Sequence, residues 1–194
     1  VGGPMARNVG DLALLLSVLA GPDARAPQAL GDPGTAFAPP VIGQLTGLRV
    51  ALSVDLGGAF EVDAEVGAIV SASAEVFARA GAVVAEAHPD LAVADDTFRT
   101  LRAWHFQAKF GALLAEHPDA FKQSLADNIR AGESLTGADV ARAYAQRTAL
   151  SERMRVFFAD HDLLVLPVSQ VPPFPADQEF PTAINGRPME TYLD

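Results

Sequence analysis

The feature that most constrains this chain is an almost entirely apolar helix predicted close to its start. Asn8 is a favourable N-cap, Asp11 stands three residues later as in a capping box, and Gly21 provides a stop. Leu14 and Val18 place apolar groups on one side of the helix. A further apolar stripe at helical spacing is formed by Leu12, Leu15, Leu16 and Leu19. The sequence therefore predicts a helix that other polypeptide covers on every side.

Composition narrows the class of protein. The 194 residues are 49% hydrophobic and 20% charged, which is enough for one substantial core. The net charge of -10 argues against binding to nucleic acid or to an anionic membrane surface. No apolar stretch is long enough to span a bilayer. The absence of cysteine excludes disulfides, thiolate metal sites and a cysteine nucleophile, and it suits a cytoplasmic protein.

The first half of the chain predicts a β-α-β unit. Residues 22–47 are rich in proline and glycine and read as a surface connection. Alternating apolar residues over 48–54 predict a strand, Asp63 to Gly81 bound a helix, and residues 82–87 predict a second strand. A helix between two strands is typical of a parallel crossover.

The second half is predicted to be mainly helical, over 96–116, 119–131 and 137–159. Pro118 suits a first helical position, and Thr136 with Asp139 forms a partial capping box. Residues 163–166 form a short apolar run that predicts a buried strand, and prolines keep the following residues, to 181, in a loop. We therefore predict an α/β fold, with a mixed or mostly parallel sheet and flanking helices.

Five stretches, taken together, identify a family. They are GGPMARNVGDLALLLSVLAGPD at 2–23, GLRV at 47–50, AGAVV at 80–84, LLVLP at 163–167 and INGRPMETYLD at 184–194. In this order they resemble the amidase signature family, serine hydrolases that cleave carboxamides. The resemblance implies that 1–194 is an incomplete part of the amidase signature fold, from its middle to late portion. It also implies that 95–160 is a variable helical insert contributing to the substrate pocket.

The resemblance places the chemistry outside this chain. The family uses a Ser-cisSer-Lys triad, with its serines in a Gly/Ser-rich segment upstream of the opening motif and its lysine further upstream. Such a segment is missing here, and the only lysines are Lys109 and Lys122 in predicted helices. We therefore assign no catalytic residue and expect an amidase that needs no metal or cofactor. The 194-residue fragment alone is expected to be inactive.

Four residues are candidates for substrate binding. Trp104 and Phe106 lie in the helical insert, where core packing is the alternative role. Ser169 and Phe174 follow the end of the third strand, which is where α/β proteins often place substrate contacts. These residues are expected to determine substrate specificity and to take no part in the catalytic steps. The substrate that the resemblance implies is a small amide.

Other polar residues favour structural roles. His105 has no partner placed by sequence that would make it a catalytic base. The run of residues 160–162, Asp-His-Asp, is read as a solvated helix end rather than a metal site, and Asp95 and Asp96 as helix caps. Gly57 and Gly58 are read as a surface turn rather than a phosphate-binding loop.

Two other functions stay open. The family includes the glutamine-hydrolysing subunit of the tRNA-dependent amidotransferase, so the chain could belong to an assembly subunit or act as a non-catalytic fragment. Without the resemblance, the pattern alone also allows a small α/β domain that binds a ligand. In each case, polypeptide preceding these residues or an oligomer neighbour is expected to cover Leu12, Leu15, Leu16 and Leu19.

Overall fold

A computed structural model describes residues 3–26, 29–38 and 43–193. Within these ranges the helices are Val9–Leu19 (α1), Ala64–Arg79 (α2), Ala94–Glu116 (α3), Gln123–Ala131 (α4) and Gly137–Asp160 (α5). The strands are Arg49–Leu52 (β1), Val83–Glu86 (β2), Leu163–Val165 (β3), Ala183–Ile184 (β4) and Arg187–Pro188 (β5). The chain divides into one unit over 1–44 and another over 45–194. Parts of the predicted connection, at 27–28 and 39–42, lie outside the described residues, as does Asp194.

The first unit contains the apolar helix α1. As predicted, the Asn8 side chain accepts a hydrogen bond of 2.8 Å from the backbone N–H of Asp11, and the helix ends before Gly21. A 3-10 turn at Gly34–Phe37 packs against α1. Ala13 is the one buried residue of α1, and the side chain of Val18 is 75% exposed. Within its own unit this short turn leaves most of the helix exposed, and covering by other polypeptide stays a prediction.

The second unit is built on a parallel sheet with the strand order β2-β1-β3. Val50 of β1 pairs with Val84 of β2 and with Leu163 of β3. The central strand is buried, whereas the two outer strands are partly or fully exposed. The parallel sheet with flanking helices confirms the predicted α/β class and the β1-α2-β2 crossover, although β3 is less buried than predicted.

Helices α3, α4 and α5 form the predicted helical region. A core of Leu114, Ala126 and Ile129 packs against partly buried side chains: Phe106, Phe110, Phe121 and Leu125. Pro118 begins a separate 3-10 turn, so α4 starts later than predicted, at Gln123. The N-cap of α3 is Val93, which places Asp95 and Asp96 in the first turn instead of at the cap. Carboxylates there still interact favourably with the helix dipole.

The end of the chain contains an element that the sequence reading missed. As predicted, no helix or strand interrupts the described residues between β3 and β4. Ala183 then pairs with Pro188, and Ile184 with Arg187, in an antiparallel hairpin. None of the helices in the described ranges is long and apolar enough to cross a membrane.

Candidate functional site

A cavity of about 910 Å³ lies at the carboxyl ends of the parallel strands. Its walls come from residues in 56–61 after β1, from 88–92 after β2, from Gln170 after β3 and from 187–190 around β5. The lining is completed by Ala94, Asp95 and Arg99 of α3 and by Leu193. Open α/β sheets bind ligands outside the carboxyl ends of their strands, and this volume fits a small organic molecule. The cavity is therefore the candidate functional site.

The turn after β1 shapes one wall. The backbone carbonyl of Asp55 accepts hydrogen bonds from the N–H groups of Ala59, at 2.9 Å, and Phe60, at 3.2 Å. Leu56 and the two glycines after it have φ values of 55°, 74° and 83°. This left-handed geometry is unfavourable for a leucine by about 1–2 kcal/mol. The turn is compact enough for Leu56 and Phe60 both to line the cavity.

A second contact fixes the wall that follows β2. A Cβ atom added at Gly57 would lie 2.4 Å from Nε2 of His88, so the histidine ring occupies space that any other residue would fill. The other ring nitrogen, Nδ1, lies 3.3 Å from the carbonyl oxygen of Pro89. Gly57 and Gly58 thus form the predicted turn, and Gly57 also makes room for a cavity-lining side chain.

Glu61 connects the segments that meet at the cavity. Its backbone carbonyl accepts a hydrogen bond of 3.0 Å from Nε2 of Gln170. Its carboxylate lies 3.4 Å from Nδ2 of Asn185 and 3.8 Å from Nη1 of Arg187. Asn185 also donates a hydrogen bond of 2.9 Å to the carbonyl of Val62. The loop after β1 is therefore joined to both the loop after β3 and the hairpin.

Charges around the cavity are paired. Nε of Arg99 donates to both carboxylate oxygens of Asp95 at 2.8 Å, and Nη2 donates to the carbonyl of Leu193 at 2.9 Å. Asp90 lies 3.2 Å from Nη1 of Arg153. Apolar walls with paired charges suit a ligand that is uncharged and partly apolar, held by a few polar groups.

A family model described as Amidase matches residues 1–194. The chain belongs to the amidase family. An acylamidase of Rhodococcus erythropolis is 31% identical over 193 residues, which cover 98% of this chain and 40% of that protein. A solved structure of a bacterial aryl acylamidase of the amidase signature enzymes superposes with a TM-score of 0.82 and 25% identity, covering 97% of this chain and 41% of the other. These residues therefore form part of the fold of amidase signature enzymes.

A shorter similarity links this amidase-family chain to a different kind of protein. A glutamyl-tRNA(Gln) amidotransferase subunit of Pseudomonas putida (strain W619) is 36% identical over 85 residues, which cover 44% of this chain and 17% of that protein. The chain spans about 40% of the length of the acylamidase and less of the amidotransferase protein. The match to the acylamidase extends over far more of the chain.

The four predicted site residues are not brought together in this member of the amidase family. Trp104 is 36% exposed, and its ring meets that of Tyr144 edge-on at 6.1 Å. Phe106 packs against the helical core. Ser169 is exposed and donates a hydrogen bond of 3.2 Å to the carbonyl of Val171, while Phe174 is 41% exposed. None of the four lines the cavity, although Ser169 precedes the lining residue Gln170. Their contact with substrate stays a prediction.

The remaining polar candidates have structural partners. Nδ1 of His105 lies 2.9 Å from the carbonyl of Leu101, within its own helix. The His161 ring stacks on Phe157 at 4.3 Å, and the Asp162 carboxylate binds Arg49. Among the described residues, no group of three or more potential metal ligands is close enough to hold an ion.

The cavity residues of this amidase-family chain were missed by the sequence reading: Glu61, His88, Arg99, Gln170 and Arg187. Two signals were available. Asn185-Gly186 is the preferred dipeptide of a type I′ hairpin, and both residues have positive φ, 49° and 80°. The predicted parallel strands also implied that residues after β1 and β2 would meet at one edge.

Proposed function

We propose that the whole protein to which these residues belong is an amidase that hydrolyses a carboxamide to a carboxylate and ammonia or an amine. The proposal rests on the family match over residues 1–194. The relative named as an acylamidase supports a substrate in which an acyl group is joined to an amine.

The proposed mechanism passes through a serine acyl-enzyme, with the catalytic residues outside these 194 residues. A nucleophilic serine needs a base within hydrogen-bond reach. In the part of the chain that the structure describes, no serine hydroxyl is hydrogen-bonded to a lysine or histidine nitrogen. Lys109 lies 4.9 Å from the ring centre of Phe110, and Lys122 lies 3.9 Å from the Glu179 carboxylate. This arrangement supports a scaffold and substrate-binding role for the chain.

The cavity is proposed to hold part of the amide substrate. The cavity lies at the carboxyl ends of the parallel strands, and its charged side chains are paired. Such a site suits an uncharged amide with an apolar acyl or amine group. The region 95–160, together with Ser169 and Phe174, is proposed to adjust specificity from outside the cavity. The exposed apolar side chains of α1 are proposed to pack against the remaining polypeptide of the same amidase.

Expression of the complete reading frame that contains these residues tests the function. The purified product is assayed for release of 4-nitroaniline from 4-nitroacetanilide, beside the 194-residue chain as a matched sample. We expect turnover by the complete product and none by the 194-residue chain. Turnover by the shorter chain that is lost when one of its own serines is changed would contradict the proposed location of the catalytic residues. Failure of the complete product to cleave any amide would contradict the function.

The second candidate is a component related to the tRNA-dependent amidotransferase, favoured by the 36% identity over 85 residues. Purification of the tagged complete product separates the two. Stable association with other amidotransferase components, with glutamine hydrolysis that depends on them, would support the amidotransferase role. Amide hydrolysis by the product alone would support the stand-alone amidase.

A cytoplasmic location belongs to the same proposal and is tested by cell fractionation.

A further inference from the structure

A half-buried arginine on α3 has only uncharged partners in the described part of the chain. Nη2 of Arg102 donates a hydrogen bond of 2.9 Å to the hydroxyl of Tyr192, and Nε donates one of 3.4 Å to Oδ1 of Asn128. No carboxylate of the described residues pairs with this guanidinium. Removing a charge from water is unfavourable unless an opposite charge or good hydrogen bonds replace the water. Arg102 is therefore suited to an external negative group.

The other half-buried arginines show the contrast. Arg99, one turn earlier on the same helix, forms an ion pair with Asp95 at 2.8 Å. Arg153 of α5 lies 3.2 Å from the carboxylate of Asp90. Among the half-buried arginines in the described ranges, Arg102 alone therefore has no carboxylate partner.

Aromatic rings surround the plane of this guanidinium. Its central carbon lies 4.2 Å from the ring centre of Phe106 and 5.7 Å from those of Phe98 and Tyr192. Stacking on Phe106 orients the guanidinium and leaves its N–H edge for hydrogen bonding. Nη1 has no hydrogen-bond partner among the residues that the structure describes. A guanidinium edge formed by Nη1 and Nη2 matches the two oxygens of a carboxylate.

The neighbouring polar groups favour the same ligand. Asn128 donates its amide N–H to the carbonyl of Ser124 at 2.9 Å, so its oxygen is directed to Arg102. The Tyr192 hydroxyl accepts from Arg102, and its own proton can be donated to an anion. Phe98, beside the guanidinium, is 50% exposed and offers an apolar surface. The site thus combines a cation, a hydroxyl donor and an exposed ring.

We propose that Arg102, Asn128 and Tyr192 form a binding site for a carboxylate attached to an aromatic or similarly flat apolar group. The carboxylate binds the guanidinium edge and the Tyr192 hydroxyl, and the apolar group packs on Phe98. Leu193, the neighbour of Tyr192, lines the cavity, as does Arg99 one turn from Arg102. Binding here does not require amide hydrolysis, so it can be tested apart from the proposed activity.

Titration of the 194-residue protein with benzoate tests the site, with Arg side-chain N–H resonances as the readout. We expect saturable binding with a millimolar Kd. Arg102→Gln should weaken binding about tenfold, because the bidentate charged contact is lost. Arg147→Gln is the matched control, since Arg147 is an exposed arginine, and it should leave the Kd unchanged. Benzamide, which has the same shape without the charge, should also bind about tenfold more weakly than benzoate.

Tyr192→Phe keeps the ring and separates a binding role from a structural one. We expect benzoate affinity to fall about threefold while the protein stays folded, because one hydrogen bond to the anion is removed. If Arg102→Gln fails to fold, the benzoate affinity of Tyr192→Phe tests the site instead. Unchanged benzoate affinity in either folded variant would overturn the site. Equal binding of benzamide and benzoate, or of inorganic phosphate and benzoate, would overturn the proposed ligand class.

Discussion

The carboxylate of Asp162 holds Arg49 at both its side chain and its backbone. It accepts hydrogen bonds from Nη2, at 2.8 Å, from Nε, at 3.1 Å, and from the backbone N–H of Arg49, at 2.8 Å. In return, the N–H of Asp162 donates to the carbonyl of Arg49 at 2.8 Å. These bonds join the first residue of β1 to the residue before β3. They therefore help to set the register in which Val50 pairs with Leu163.

Replacement of Asp162 by Asn is expected to lower the urea midpoint of unfolding. Bonds from Arg49 lower the pKa of Asp162 from 3.8 to about 2, so its carboxylate is favoured in the folded state. The stabilisation is fully present above the unfolded pKa and is lost as the pH falls through the folded value. The difference between wild type and Asp162→Asn should thus be constant above pH ~4 and shrink toward pH ~2. Asp177→Asn, at an exposed carboxylate, is the control, and a difference that does not vary with pH would contradict the prediction.

The capping box of α5 provides a test of local stability. Oγ1 of Thr136 accepts a hydrogen bond of 3.2 Å from the N–H of Asp139, whose carboxylate accepts one of 2.9 Å from the N–H of Thr136. Thr136→Ala should lower the free energy of unfolding by about 1 kcal/mol, because one cap bond is lost. Thr136→Ser keeps the hydroxyl and should stay within about 0.5 kcal/mol of wild type. Equal urea midpoints for the Ala and Ser variants would show that the cap bond does not contribute.

The elements that the sequence predicted well are those set by local patterns. Asp63 caps α2 by accepting a hydrogen bond of 2.9 Å from the N–H of Glu65, and helices α3 and α5 differ from their predicted bounds by at most two residues. Periodicity and capping act over a few residues, so a sequence reveals them directly. The strand β3 is less buried than its apolar run predicts, because burial depends on which other polypeptide packs against an element, and for the same reason the predicted cover of α1 stays a prediction.

The candidate site could not be predicted in the same way. Glu61 meets Gln170 and Asn185, which are 109 and 124 residues away along the chain. No periodic pattern connects such residues; only the sheet topology brings them together. The family resemblance directed attention to Phe106 and Phe174, whereas the cavity is lined by a mixture of apolar and polar residues that have little individual signal. The hairpin alone had a clear local marker, its Asn-Gly dipeptide.

Gly57→Ala tests the contact with His88. Alanine at a φ of 74° costs roughly 1–2 kcal/mol, and its Cβ, 2.4 Å from Nε2 of His88, also forces the histidine ring out of its position. Gly58→Ala is a matched control, because its φ is 83° but nothing lies within 4 Å of the added Cβ. Urea denaturation should show a larger loss for Gly57→Ala than for Gly58→Ala.

A double-mutant cycle isolates the steric part of that loss. Combined with His88→Ala, Gly57→Ala should cost about as much as Gly58→Ala, because only the backbone strain is left. The cost of Gly58→Ala should not depend on His88. If Gly57→Ala is equally destabilising with and without the His88 side chain, a Cβ atom at position 57 does not clash with the ring. That result would contradict the contact seen in the structure.

Phe174→Ala, made in the complete protein, tests the proposed specificity role. If Phe174 contacts the acyl group, kcat/KM for amides with bulky aromatic acyl groups should fall about tenfold, while acetamides change little. Val168→Ala is the control, since Val168 lies in the same loop with its side chain fully exposed. An equal loss for small and large acyl groups would argue for a structural effect of Phe174 instead of substrate contact.

Val18→Lys tests whether other polypeptide covers α1. Val18 is 75% exposed in the 194-residue chain, so lysine there should change the free energy of unfolding by no more than about 0.5 kcal/mol. In the complete protein, the same variant would place a charge in a buried apolar contact and should cost at least about 2 kcal/mol. Met5→Lys, ahead of the helix at a side chain that is 91% exposed, is the surface control. A lysine at position 18 is costly only where other polypeptide packs against that side of the helix. A small effect of Val18→Lys in both the 194-residue chain and the complete protein would therefore mean that this side of α1 stays in water.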